Sequence, residues 1–195
     1  MEEQEWSPEE SFALINSVIQ EAKSRFVENG HIYMFWGILI FLVTMAQFIL
    51  LQLEMYEVNY YPYFLIPFGG IYSWYYNSKQ QPTPQSSNSV SNMLKYLWLI
   101  IGLNAMVLGF VFSTILLANL IPVILLITSI GVCLSGIILK EKWLLYVGIF
   151  SNLLGFVSFA VDYMYQPLVL GFVALIANFI PGWFLQLKYK RRNEV

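Results

Sequence analysis

The sequence predicts an all-α integral membrane protein. Six transmembrane helices, grouped as three parallel-repeat helical hairpins, follow an N-terminal amphipathic helix. Three observations predict it. The run from Tyr96 to Leu139 contains no Asp, Glu, Lys, Arg or His, and it is long enough for two spans of roughly 20 residues and a turn. All ten Lys and Arg fall on one side of the predicted spans: Lys23, Arg25, Lys79, Lys95, Lys140, Lys142, Lys188, Lys190, Arg191 and Arg192. Finally, stretches of the chain echo one another at fixed offsets. Composition agrees: 58% of the residues are hydrophobic and 11% charged, against roughly 25% charged in a soluble domain. Backbone in lipid must satisfy its own hydrogen bonds. Continuous apolar runs, rather than alternating ones, point to helices and not to a barrel.

Residues 1–30 form a separate cytoplasmic unit. Ser7-Pro8-Glu9-Glu10 has capping-box spacing with proline in the first helical turn. Phe12, Ile15, Ile19, Ala22 and Phe26 recur at helical spacing, and Asn29-Gly30 stops the helix. The polar face is mainly acidic, which suits packing under the bundle or a protein partner better than anionic lipid. An acidic N-terminus also argues against a cleavable signal peptide.

The first hairpin, residues 31–78, holds spans at 32–53 and 60–76. A polar linker follows at 79–95. Its segment Gln80-Gln81-Pro82-Thr83-Pro84-Gln85-Ser86-Ser87-Asn88-Ser89 cannot build a core. The second and third hairpins, residues 96–187, hold spans at 96–117, 120–139, 143–161 and 166–187. Pro122 opens a helix at the turn between the third and fourth spans. A basic tail, 188–195, closes the sequence. The opposite loops carry only Glu54, Glu57 and Asp162. The positive-inside rule therefore puts both termini in the cytoplasm and the protein in the cell membrane as a multi-pass chain.

The echo is most legible at an offset of 46. Leu99, Gly102, Leu108, Gly109, Phe110 and Val111 then fall on Leu145, Gly148, Leu154, Gly155, Phe156 and Val157. Gly136 falls on Gly182. A looser offset of 65–66 relates Gly37 to Gly102 and Gly70 to Gly136. Parallel repeats of this kind occur in transporters; shared richness in Leu, Phe and Gly is the competing explanation.

Three sets of residues draw attention. Small residues at Gly102, Ala105, Gly109, Gly148, Ser151, Gly155 and Gly182 suit close helix packing. The second span is aromatic and broken: nearly half of the stretch from Tyr56 to Tyr76 is aromatic, around Pro67-Phe68-Gly69-Gly70. A candidate ligand cavity there takes Phe64, Pro67, Phe68, Gly69, Gly70 and Tyr72, joined by the buried amides Asn104, Asn152 and Asn178. A kinked packing helix with interfacial aromatic belts is the plainer account. The third set is the buried polar residues, Thr44, Gln47 and Thr128 among them, which suit interhelical hydrogen bonds.

Absences narrow the function. No ionisable residue lies mid-span, which disfavours proton or sodium coupling. The sequence has no HExxH, GxSxG or phosphate-binding loop. The one histidine, His31, and the one cysteine, Cys133, cannot build a metal site. No enzyme, cofactor or metal is expected. The lipid bilayer is the first expected partner. Residues 8–28 offer a surface to a cytoplasmic protein, self-association stays open, and the net charge of -2 gives no reason to expect nucleic acid.

The segment Glu28-Asn29-Gly30-His31-Ile32-Tyr33-Met34-Phe35-Trp36-Gly37, after an acidic helix, resembles the opening of a family of small six-span membrane proteins of Bacteroidota. The resemblance covers the chain from its start to the neighbourhood of Ile40, and the overall layout. It implies a bacterial cytoplasmic membrane and carries no activity or functional residue. Two functions are therefore expected. An interaction or regulatory membrane protein is favoured, because no coupling residue exists. The alternative is a binder or uncoupled transporter of a small apolar or aromatic molecule at broken span 2.

Overall fold

The computed structural model describes residues 12, 13, 15–19, 30–79 and 89–193, without the side chains of 89, 91 and 188–193. Most of the amphipathic helix, much of the polar linker and the side chains of the basic tail lie outside the described residues. Residues 15–19 are helical, with Phe12 and Ile15 exposed.

Among the described residues all regular structure is helical. The elements are α1 (Gly30–Gln52), a 3-10 turn (Tyr61–Leu65), α2 (Ile66–Lys79), α3 (Ser89–Phe110), α4 (Ser113–Leu116), a 3-10 turn (Leu117–Asn119), α5 (Leu120–Ile138), α6 (Lys142–Ser158), α7 (Gln166–Ala174), a π turn (Leu175–Phe179) and α8 (Ile180–Asn193). Four stretches of the described residues are long and apolar enough to cross a membrane: Gly30–Gln52, Asn92–Phe110, Ser113–Ile138 and Gln166–Leu187. Lys142–Ser158 is apolar but shorter.

The ends of these helices follow from local chemistry. After α1, Met55 N–H donates to Leu50 carbonyl and Glu54 N–H to Leu51 carbonyl, with Glu54 at φ 60°. After α5, Glu141 N–H reaches Gly136 carbonyl while Lys140 sits at φ 52°. Both are Schellman-type closures in which a non-glycine residue takes the left-handed position. The second predicted span is divided: a short 3-10 helix opened by Pro62, then α2 with Pro67 in its first turn. Proline there needs no hydrogen-bond donor, so the break precedes Pro67 rather than following it. The third helix runs from Ser89 to Phe110, earlier at both ends than the predicted 96–117. The linker is correspondingly shorter than the sequence suggested. The π turn ends just short of Pro181, whose missing N–H and bulky ring disturb the preceding turn.

Packing is organised by two antiparallel seams. In the first, α5 meets α6: a Cβ on Gly136 would lie 2.6 Å from Leu145 N, and one on Gly148 would lie 2.7 Å from Cys133 N. In the second, α1 meets the helix formed by α7, the π turn and α8. A Cβ on Gly37 would lie 2.6 Å from Phe179 N, and one on Gly182 would lie 2.6 Å from Met34 N. At these distances only glycine lets the backbones touch. Among the described residues these two seams make the most extensive interhelical contacts. The core between them holds Ile121, Leu125, Val132, Leu139, Leu144, Leu170, Val173, Ala177 and Leu185.

One arrangement of side chains occurs twice. Trp36 Nε1 donates to Ser73 Oγ at 2.9 Å, and Gly69 faces Leu39 and Trp36. Trp98 Nε1 donates to Ser135 Oγ at 3.2 Å, and Gly131 faces Ile101 and Trp98. One offset of 62 carries each member of the first set onto its counterpart in the second. The recurring contacts lie 62 positions apart, beside the offset of 65–66 read from the glycines.

Candidate functional site

The residues predicted to form a cavity are distributed over separate environments. Phe68 is 67% exposed and Phe64 51%. Phe64 stacks on Phe110 with ring centroids 5.3 Å apart. Gly69 is buried against α1, while nothing lies within 4 Å of a Cβ on Gly70. Tyr72 OH hydrogen-bonds His31 Nε2 at 2.9 Å, and its ring lies 4.6 Å from that of Phe35. These residues therefore divide among contacts to α1, the ring contact of Phe64 with Phe110 on α3, and an outward-facing surface.

The three asparagines serve three different surroundings. Asn104 is exposed on α3, its Nδ2 donating to Ile100 carbonyl one turn back at 2.8 Å. Asn152 donates to Ser129 Oγ at 2.8 Å across the α5–α6 seam. Asn178 lines a small, partly open pocket of about 10 Å³ with Tyr33, Trp98, Val132, Ser135, Leu144 and Ala177. That volume is about what one water molecule requires. An open groove of about 260 Å³ lies on the outside of the α5–α6 seam, lined by Ile130, Cys133, Leu134, Ile149, Asn152 and Leu153.

The small residues also divide. Gly148, Gly155 and Gly182 press on neighbouring helices, and Ser151 is 1% exposed with its hydroxyl on Val147 carbonyl. Gly102 and Gly109 meet nothing within 4 Å, and Ala105 is half-buried beside them. Offset-46 partners therefore have unlike surroundings: closed at α6, open at α3.

A polar cluster that single-residue reasoning did not assemble closes one end of the bundle. Gln47 Nε2 donates to Asn59 Oδ1 at 3.0 Å, and Tyr63 OH donates to Gln47 Oε1 at 2.8 Å. Tyr163 OH reaches the same Asn59 Oδ1 at 3.2 Å, tying the α1–α2 loop to the α6–α7 loop. Burial raises the Tyr163 phenol above its ordinary value, and bonds to Asn59 and Gln47 lower it only in part. Gln166 is 2% exposed; its Nε2 donates to Val161 carbonyl and its Oε1 has no partner. Gln47 was legible as a buried polar residue; Asn59 and Tyr163 sit in loops, where nothing marks them in sequence.

Among the described residues no three His, Cys, Asp or Glu side chains come together as a metal site would require. No protein-family model, curated protein or solved structure matches the chain. The class defined by the fold is an all-helical protein with several helices of membrane-spanning length and apolarity.

Proposed function

We propose that this is a six-crossing protein of a bacterial cytoplasmic membrane, with both termini in the cytoplasm, acting through protein–protein contact. Two crossings rest on length arguments. The 3-10 turn and α2 together rise about 31 Å and α6 about 25 Å, near a hydrocarbon core of about 30 Å. The recurring Trp–Ser bond and glycine contact support a repeat of the first two hairpins. The offset of 46 then carries Trp98, Ile101, Gly131 and Ser135 onto Leu144, Val147, Ala177 and Pro181 in the third.

One observation carries the interaction reading. The apolar part of α3 is 6% buried, against 28%, 33% and 44% for the other three long spans. Ile100, Asn104, Val107 and Val111 share one exposed face at helical spacing. An amide on such a face has only its own backbone to bond, and a neighbouring helix offers it more. The partner is accordingly a membrane protein that presents a polar side chain within an apolar helix. The uncoupled-binder reading draws support from the divided second span and the small pocket at Asn178.

Photocrosslinking in cells separates the two. A photoreactive residue at Val107 should give one discrete adduct that Asn104→Leu abolishes. Absence of an adduct, with uptake of an aromatic probe by reconstituted vesicles, would reverse the order. Membrane-impermeant thiol labelling in a Cys133→Ala background should mark Glu57→Cys from outside and Ser86→Cys only after permeabilisation. The reverse pattern overturns the orientation.

A further inference from the structure

Two amides lie at one depth on the same side of the bundle. Trp98 meets Ser135 and Ile101 meets Gly131, so α3 and α5 pack antiparallel. Asn104, three residues beyond Ile101, is therefore level with Thr128, three residues before Gly131. Asn152 donates to Ser129, the next residue along α5. The two asparagines thus differ in depth by about one residue, or about 1.5 Å. Direction agrees with depth. A step of three residues falls about 60° short of a full turn. Asn104 is three residues on from Ile101, and Leu134 three on from Gly131. Because the helices run in opposite senses, both residues turn to the same side of the pair. Leu134 and Asn152 line the open groove of about 260 Å³ between α5 and α6. The exposed ridge of α3 and this groove therefore stand side by side, each with one amide at the same level.

The chemistry of the ridge matches that of the groove. Asn104 donates one N–H to Ile100 carbonyl, and Asn152 donates one to Ser129 Oγ. Each amide keeps a second N–H and its Oδ1 for a partner. Both have apolar surroundings: Ile100, Val107 and Val111 on the ridge, Ile130, Leu134, Ile149 and Leu153 in the groove. Rotation by 180° about an axis along the membrane normal leaves depth unchanged and sets the ridge of each copy on the groove of the other. We propose that the chain forms a twofold dimer in the membrane, in which α3 of each copy lies in the α5–α6 groove of the other and Asn104 hydrogen-bonds Asn152 across the interface. Such a contact closes on itself, so assembly stops at two. A second copy satisfies both amides at once, whereas an unrelated helix on α3 would leave Asn152 facing lipid. The dimer rests on the protein-contact reading above and names its partner.

The test is the affinity of the full chain for itself in mixed micelles, read as fluorescence transfer between two labelled populations. The wild type should pair. Asn104→Leu should weaken pairing roughly eightfold, since two interhelical amide contacts are lost at roughly threefold each. Asn152→Leu should do the same. Leu134→Trp, an indole placed at the exposed rim of the groove, should abolish pairing. An unfolding curve like that of the wild type shows which variants have kept the fold. Mixing the Asn104→Leu chain with the Asn152→Leu chain should restore affinity to roughly threefold below the wild type, because that pair keeps one of its two amide contacts. A wild type that does not pair, or pairing indifferent to Asn104→Leu and to the folded groove variants, overturns the proposal. So does weakening by Asn104→Leu with no recovery on mixing with a folded Asn152→Leu chain, which would set α3 against α3. The photoadduct at Val107 separates the dimer from the broader reading. An adduct of twice the chain's mass supports the dimer, and one of any other mass overturns it while protein contact stands. No adduct at all defeats both.

Discussion

Gly148 lies so close to Cys133 that a Cβ at that position would sit 2.6 Å from the Sγ and 2.7 Å from the backbone nitrogen. Gly102, its counterpart at the offset of 46, has nothing within 4 Å. The same residue type thus has opposite consequences in two helices. Gly148→Val should force α5 and α6 apart and cost about 2–3 kcal/mol. Gly102→Ala should be neutral or stabilise by about 0.5–1 kcal/mol, because alanine loses less backbone entropy in a helix. Unfolding in mixed micelles measures both, and similar losses would contradict the two environments.

The paired indole bonds should be energetically alike. Double-mutant cycles of Trp36→Phe with Ser73→Ala, and of Trp98→Phe with Ser135→Ala, should each give a coupling of about 0.6 kcal/mol. A coupling in one pair and none in the other would show that the recurring geometry does not carry recurring energy.

Gln47 holds Asn59 and Tyr63 together. Gln47→Leu leaves the Tyr63 hydroxyl without its partner and should cost about 1–3 kcal/mol. Adding Tyr63→Phe should recover part of that loss, since removing both partners strands neither. An additive double mutant would speak against the bond.

Tyr163 gives the same end of the bundle a pH dependence. Its folded pKa is raised above the ordinary value of 10.0, chiefly by burial. Its contribution is therefore complete below pH 10 and is lost as pH rises toward the folded pKa. Stability should fall more steeply above pH 10 in the wild type than in Tyr163→Phe, as thermal unfolding at stepped pH will measure.

Lys140 occupies the left-handed position after α5 at φ 52°. A non-glycine residue there costs about 1–2 kcal/mol relative to glycine. Lys140→Gly should thus stabilise the chain by about 1 kcal/mol, read from the same unfolding curves.

Much of this fold is legible in sequence because lipid solubility is written one residue at a time. The apolar runs locate the helices, and Glu54 and Lys140 lie just beyond two of their ends. Pro67 and Pro181 mark two irregular turns. Which helices touch is less legible. Glycine spacing suits any close approach, so it does not reveal that Gly37 serves the π turn at Phe179 while Gly102 faces outward. The Trp–Ser arrangement leaves a trace, with Trp36 and Trp98 one turn before Leu39 and Ile101, and Gly69 and Gly131 one turn before Ser73 and Ser135. Its meaning requires the two helices to be seen together. The dispersal of Asn104, Asn152 and Asn178 was illegible for the same reason: a residue's depth along a span can be counted, but the direction it faces depends on its neighbours.

The π turn at Leu175–Phe179 stores one residue more than an α-helix would over the same rise. Deleting one residue within it would restore regular winding at almost the same rotation and rise. Gly182 would keep its seat on Met34, whereas the same deletion in a regular stretch such as α7 would swivel everything beyond it by about 100°. The wide turn therefore works like slack in a rope, taking up a one-residue change in length that a regular helix would pass on to the tail.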